Sequence, residues 1–148
     1  MTVKRERCDK WFSDVVRQKA GFVCEHCGAK DVGMDCAHIY GRRAKSVRWS
    51  LDNALCLCRT CHRVFTENPL DFSHWLESYL GEGHMEILNE KRNVLLKTNQ
   101  ALRKEIATHY RLEHKKMLED ENYQEDIYNL KIKQNEIYTN FIKEKITL

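Results

Sequence analysis

The chain of 148 residues has no long apolar run, a single proline and six glycines, and its cysteines stop at Cys61. Each shortage excludes something. Without roughly 18 consecutive apolar residues no membrane-spanning helix is expected. The charged start Met1-Thr2-Val3-Lys4-Arg5-Glu6-Arg7 is followed by no apolar segment, so no secretory signal is read there and a reducing cytosol is the expected compartment. In that compartment seven cysteines are better explained by metal than by disulfides. Residues 84–148 contain no cysteine, glycine or proline at all. The chain therefore divides into a core at 1–83, rich in turn formers and thiols, and a long helical C-terminal region at 84–148, expected to be a helical hairpin or an arm for oligomerisation or DNA contact.

What is present concentrates within forty residues. Cys24-x-x-Cys27 and Cys58-x-x-Cys61 have the spacing of two knuckles that close a tetrahedral all-sulfur zinc site. Four thiolates leave no open position, so such a zinc would brace rather than cut. Cys8, Cys36 and Cys56 read as small buried side chains.

His38 lies between the knuckles and titrates near neutral pH, which suits a general base acting on a water that attacks phosphorus. His62 directly follows Cys61, so the second knuckle would fix it at a helix start, where it suits a catalytic divalent cation such as magnesium or manganese. Asn53 can donate and accept at once and is read as the residue that pins the inter-strand loop and orients His38. A plain turn residue after Asp52 is the competing reading.

The net charge of +3 identifies no partner, but its distribution is uneven. Between Tyr40 and Arg63, Arg42, Arg43, Lys45, Arg48, Arg59 and Arg63 face one acid, Asp52. Such a patch would hold nucleic-acid phosphates, with Arg42, Arg43 and Arg48 clamping them bidentately. Trp49 could stack on a base or anchor the loop.

The periodicity predicts an amphipathic helix from Asp9 to Ala20, capped by Gly21. It then predicts a short strand Gly33–Ile39, a strand Asn53–Leu57 and a helix from Arg59 to about Thr66. Asn68-Pro69 is read as the cap and first residue of a further helix ending at Gly81. Leu88, Leu95 and Leu102 repeat every seven residues, read either as a marginal coiled-coil stripe or as a helix folded against the core. Another helix is expected from about Asn122, after a break at Glu119-Asp120-Glu121. The fold class is α+β, mostly α: a small zinc-braced β-β-α core with flanking helices.

At these residues the chain resembles the HNH endonucleases of the ββα-metal fold. More narrowly it resembles the phage recombination nucleases of the NinG (Rap) group. The resemblance covers most of the chain. It is carried by Cys8-Asp9-Lys10-Trp11-Phe12-Ser13, the first knuckle, Cys36 to Arg43, Arg48-Trp49-x-x-Asp52-Asn53, and Leu57-Cys58-x-x-Cys61-His62. Asn68-Pro69 and Glu105 to Arg111 also fit. It implies a metal-dependent endonuclease selective for branched DNA, in a host cytoplasm if phage-encoded, alongside phage or host recombination proteins; a homodimer would suit paired cuts on a junction. Many HNH enzymes carry Asp or His just before the catalytic histidine; here that residue is Ala37. Asp35, two residues back on the same strand face, is the candidate replacement. The rival readings are a general phage HNH nickase, a catalytically inactive zinc-stapled DNA-binding scaffold, and a protein-interaction module worked by the long helices.

Overall fold

A computed structural model describes residues 3–119. Among them are five helices and one two-stranded antiparallel sheet. Helix α1 (Arg7–Lys19) begins where the Glu6 amide donates to Asp9 Oδ2 at 2.7 Å. It stops at Gly21, whose φ of +63° suits a residue without a side chain. Strand β1 (Met34–His38) pairs with β2 (Ala54–Cys58), His38 opposite Ala54 and Met34 opposite Cys58. Helix α2 (Arg59–Glu67) follows β2 without a loop, because Cys58 is both the last strand residue and the cap of the helix. Helices α3 (Pro69–Leu80), α4 (Glu82–Arg92) and α5 (Gln100–Glu119) complete the described chain.

A two-stranded ribbon is marginal by itself. Here helices cover both faces. On one side Phe12, Val15 and Val16 of α1 meet Leu102, Ile106 and Tyr110 of α5, with Trp49 and Leu51 buried between them. The Phe12 and Tyr110 rings meet edge to face at 5.1 Å, and the Tyr110 hydroxyl donates to the Trp49 carbonyl. On the other side Ala37, Leu55 and Leu57 pack with Phe65 of α2 and Leu76 of α3. Every residue of β2 is buried, which explains its unbroken apolar sequence.

Two expectations change. The stripe Leu88, Leu95, Leu102 is not one helix face: the chain leaves helix after Arg92 and re-enters it at Gln100, and Leu95 is 85% exposed in the break. Asn99 starts α5 by accepting the Leu102 amide at 2.8 Å. Leu88 and Leu102 are both buried, but on separate helices. Asn68 likewise does not cap α3 with its side chain; its amide donates back to the Val64 carbonyl at 2.7 Å and closes α2. Pro69 does open α3. Of the break expected at Glu119-Asp120-Glu121, Glu119 still belongs to α5; the rest of it and the helix expected from Asn122 lie outside the described residues.

Candidate functional site

The knuckles come together. The sulfurs of Cys24, Cys27, Cys58 and Cys61 lie within 4.8 Å of one another. Tetrahedral zinc with bonds of about 2.3 Å sets sulfurs about 3.8 Å apart, and Cys27 Sγ lies 3.8 Å from Cys58 Sγ. In each knuckle the second cysteine's amide donates to the first sulfur, Cys27 to Cys24 at 3.5 Å and Cys61 to Cys58 at 3.4 Å. Burial opposes ionisation of Cys24, yet amide hydrogen bonds beginning with that from Cys27 bring it down to about 7. Burial and the neighbouring sulfurs push Cys61 up. One thiolate is thus favoured and further ones are opposed, the electrostatics of a site that a cation completes. Cys56 is buried outside this cluster, and Cys8 is buried beside Phe12.

His26, given no role by sequence reasoning, stands at this centre. Its Nδ1 is 3.3 Å from Cys61 Sγ, and its ring meets Phe65 at 4.7 Å and Trp75 at 5.0 Å.

Across the sheet, a cleft of about 550 Å³ is lined by His38, Asp35 and His62 together with Arg5, Arg17 and Arg42. His38 ends β1, its Nε2 3.0 Å from the Arg48 carbonyl. A carbonyl only accepts, so Nε2 carries the proton and Nδ1 keeps the lone pair. Burial, opposed by the Arg48 carbonyl and by Asp9, holds His38 below its ordinary 6.5 and therefore neutral at pH 7.

Asn53 fixes this arrangement. It is fully buried; its Oδ1 accepts the Tyr40 amide at 2.8 Å and its Nδ2 donates to the carbonyls of Tyr40 at 2.9 Å and Val47 at 3.1 Å. Both ends of the basic loop are thereby held to one side chain. The residue after Val47 is Arg48, whose carbonyl orients His38. From behind, α4 braces the turn through His84 Nε2 on the Asp52 carbonyl and Lys91 on the Asp52 carboxylate, each at 2.8 Å.

Ala37 is buried in the core beneath α2. Asp35, one same-face step earlier, places Oδ2 3.0 Å from His62 Nδ1, with Arg59 Nε 3.6 Å from its other oxygen. Neither Asp35 nor His62 is buried, so the pair opens to the cleft.

The basic patch divides. Arg43, Lys45, Arg59 and Arg63 are exposed and Arg42 is half-buried at the cleft. Arg48 is not a phosphate clamp. Its side chain is 5% exposed, gripping Asp9 through Nε at 3.0 Å and Nη2 at 2.6 Å and donating also to the Lys4 carbonyl. Asp9 further accepts Trp49 Nε1 at 2.9 Å, so Trp49 anchors the loop and is unavailable to a base. Burial works against the Asp9 charge, but Arg48 and the other donors outweigh it and hold the carboxyl below 3.8. Glu6, Cys8 and Asp9 also lie close enough to share a cation. Glu6 already meets Arg103 and Asp9 already meets Arg48, so their charges are balanced within the fold.

Arg5 and Arg17 line the cleft without having been singled out by the sequence. Their separation from His38 along the chain left no local signal. No family model, curated protein or solved structure matches the chain.

Proposed function

We propose that this chain is a metal-dependent DNA endonuclease that hydrolyses phosphodiester bonds, with branched recombination intermediates as its preferred substrates. The observation that carries the reading is the meeting of His38, Asp35 and His62 in one cleft whose rim is basic. The order β1–β2–α2 with a four-cysteine cluster at its base agrees with the resemblance of the sequence to the HNH nucleases.

In this reading zinc on Cys24, Cys27, Cys58 and Cys61 is structural. It fixes the junction between β2 and α2, and so places His62 opposite Asp35. A carboxylate oxygen and an imidazole nitrogen at 3.0 Å suit a divalent cation and leave most of its coordination open. Asp35 and His62 would hold magnesium or manganese, which when bound neutralises charge on the phosphate and on the leaving oxygen. His38 does the proton chemistry: its Nδ1 takes a proton from water as the water oxygen bonds to phosphorus and the bond to the 3′ oxygen breaks. The departing 3′ oxygen takes a proton from solvent water, so the products are a 3′-hydroxyl and a 5′-phosphate. A neutral histidine at pH 7 is the correct starting state for a base. Asn53 acts through the loop as a positioning residue.

The test is cleavage of a four-way junction, a flap and a linear duplex by zinc-loaded protein with magnesium or manganese, beside a folded His38→Ala variant. Cutting of branched DNA alone, lost in the variant, is the expected result. Equal cutting of all three would favour a general nickase. No cutting by folded protein would reject the enzyme and leave a binding scaffold.

A further inference from the structure

The charges lining the cleft do not balance. Asp9 is matched by Arg48, and Asp35 faces His62 and Arg59. That leaves Arg5 from the N-terminal strap, Arg17 from the last turn of α1 and Arg42 from the loop after β1. Arg5 and Arg42 form no ion pair among the described residues. Arg17 meets a single acceptor, Asp14 Oδ1 at 2.6 Å from its Nη2, although a guanidinium carries five N–H donors. The same Asp14 also binds Lys10 at 2.8 Å, so one carboxylate serves two cations. The Nε of Arg17 is buried with no hydrogen-bond partner. The Arg17 side chain is 27% exposed at the cleft, so its remaining donors are open to an acceptor that enters with a ligand.

Three arginines from three separate chain segments thus line one cleft with His38 and His62. The ligand that answers this set is a run of anionic oxygen groups such as successive phosphodiesters, and guanidinium forks match phosphate oxygens. We propose that Arg17, with Arg5 and Arg42, forms a phosphate-binding subsite for the DNA backbone on the α1 wall of the cleft. The inference rests on the nuclease reading for the identity of the ligand, though not for the existence of the anion site. The strand then lies between α1 and α2 with His38 below it, so recognition involves the first helix as much as the loop beside the cysteines.

The probe is a fluorescent four-way DNA junction titrated with zinc-loaded protein at several salt concentrations, with no magnesium or manganese added so that nothing is cut. Arg17→Gln is expected to weaken binding about tenfold and to lower the slope of log Kd against log salt by about one. Arg17→Lys should restore the slope and only part of the affinity, because the charge returns without the fork. Asp14→Asn keeps the guanidinium and removes the negative charge of its internal partner, so affinity should hold or rise. Unchanged affinity and slope in Arg17→Gln would overturn the subsite. So would a parallel loss in Asp14→Asn, which would trace the effect to the stability of α1. Junction cleavage that persists while Arg17→Gln binds normally would sink the subsite and keep the nuclease. Absent cleavage with the expected binding losses would do the reverse.

Discussion

Replacing Asp9 by asparagine removes one negative charge from a site where almost nothing else can replace it. The carboxylate accepts four hydrogen bonds, from Arg48 Nε and Nη2, Trp49 Nε1 and the Glu6 amide, and the side chains of the ion pair are each 5% exposed. Asparagine keeps the shape but turns one oxygen into a donor that faces other donors. Removing one member of a buried pair costs about 3–5 kcal/mol, because the other charge stays behind uncompensated. The Lys4 carbonyl, 2.9 Å from Arg48 Nη2, remains and favours the lower end of that range. For a chain of this size each kcal/mol corresponds to about 3–4 °C, so the zinc-loaded variant should melt roughly 10–15 °C below the parent. Near-ultraviolet circular dichroism, which follows the packing of Trp49, is the suitable probe. The double variant Asp9→Asn/Arg48→Met removes the stranded charge and should recover at least half of the loss. A fall of less than about 4 °C in the single variant, or no recovery in the double, would refute the argument that an uncompensated buried charge decides this position.

Other expectations follow from the same geometry. Cys58→Ser, or removal of zinc by a chelator, should abolish cooperative unfolding, since structural zinc contributes on the order of 10 kcal/mol and such folds hold only about 5–15 in total; calorimetry of the stripped and reloaded protein checks this. Because burial lowers the His38 pKa, the junction-cleavage rate should already be level at pH 7 and decline only below 6.5, as measured across a pH series. Stability takes the same sign: the unfolded chain binds the proton more readily, so the His38 contribution is present above 6.5 and is lost as pH falls toward the folded value. Asp35→Asn should raise the magnesium or manganese concentration needed for half-maximal cleavage by about 10–100-fold while leaving metal-free DNA binding near normal, whereas an equal loss of both would show that Asp35 serves the fold.

The parts of the molecule legible in the sequence are those whose signals are local. Phe12, Val15 and Val16 before Gly21 mark α1, and Pro69 marks the start of α3. The cysteine spacing marks a cluster because the two-residue gap itself forms the amide-to-sulfur knuckle. The hidden parts are long-range. Arg48 sits in a basic run and reads as a surface clamp until Asp9, distant in sequence and adjacent in space, is seen to claim it. The interruption between α4 and α5 contains neither glycine nor proline, so a regular leucine repeat concealed it; only Asn99, a competent cap, hinted at a new start. Asn68 misled in the opposite sense, since its side chain can cap backward as readily as forward.

The two faces of the hairpin also differ in when they can exist. The face organised by the cysteines draws its buried residues from no further than Leu76, and Met85 at the start of α4 is the last residue to pack against it. The α1 wall, which meets Trp49, Leu51 and Ala54 earlier in the chain, gains the rest of its cover only when Ile106 and Tyr110 reach it, and Tyr110 closes a span of 61 residues onto the Trp49 carbonyl. During synthesis the half with the four-cysteine cluster is therefore expected to mature first, while the wall bearing Arg17 waits for α5 to be made and to close so long a loop. A growing chain therefore holds all four cysteines and most of their cover before the cleft is complete, and the cleft is finished only once α5, the last helix among the described residues, has been made.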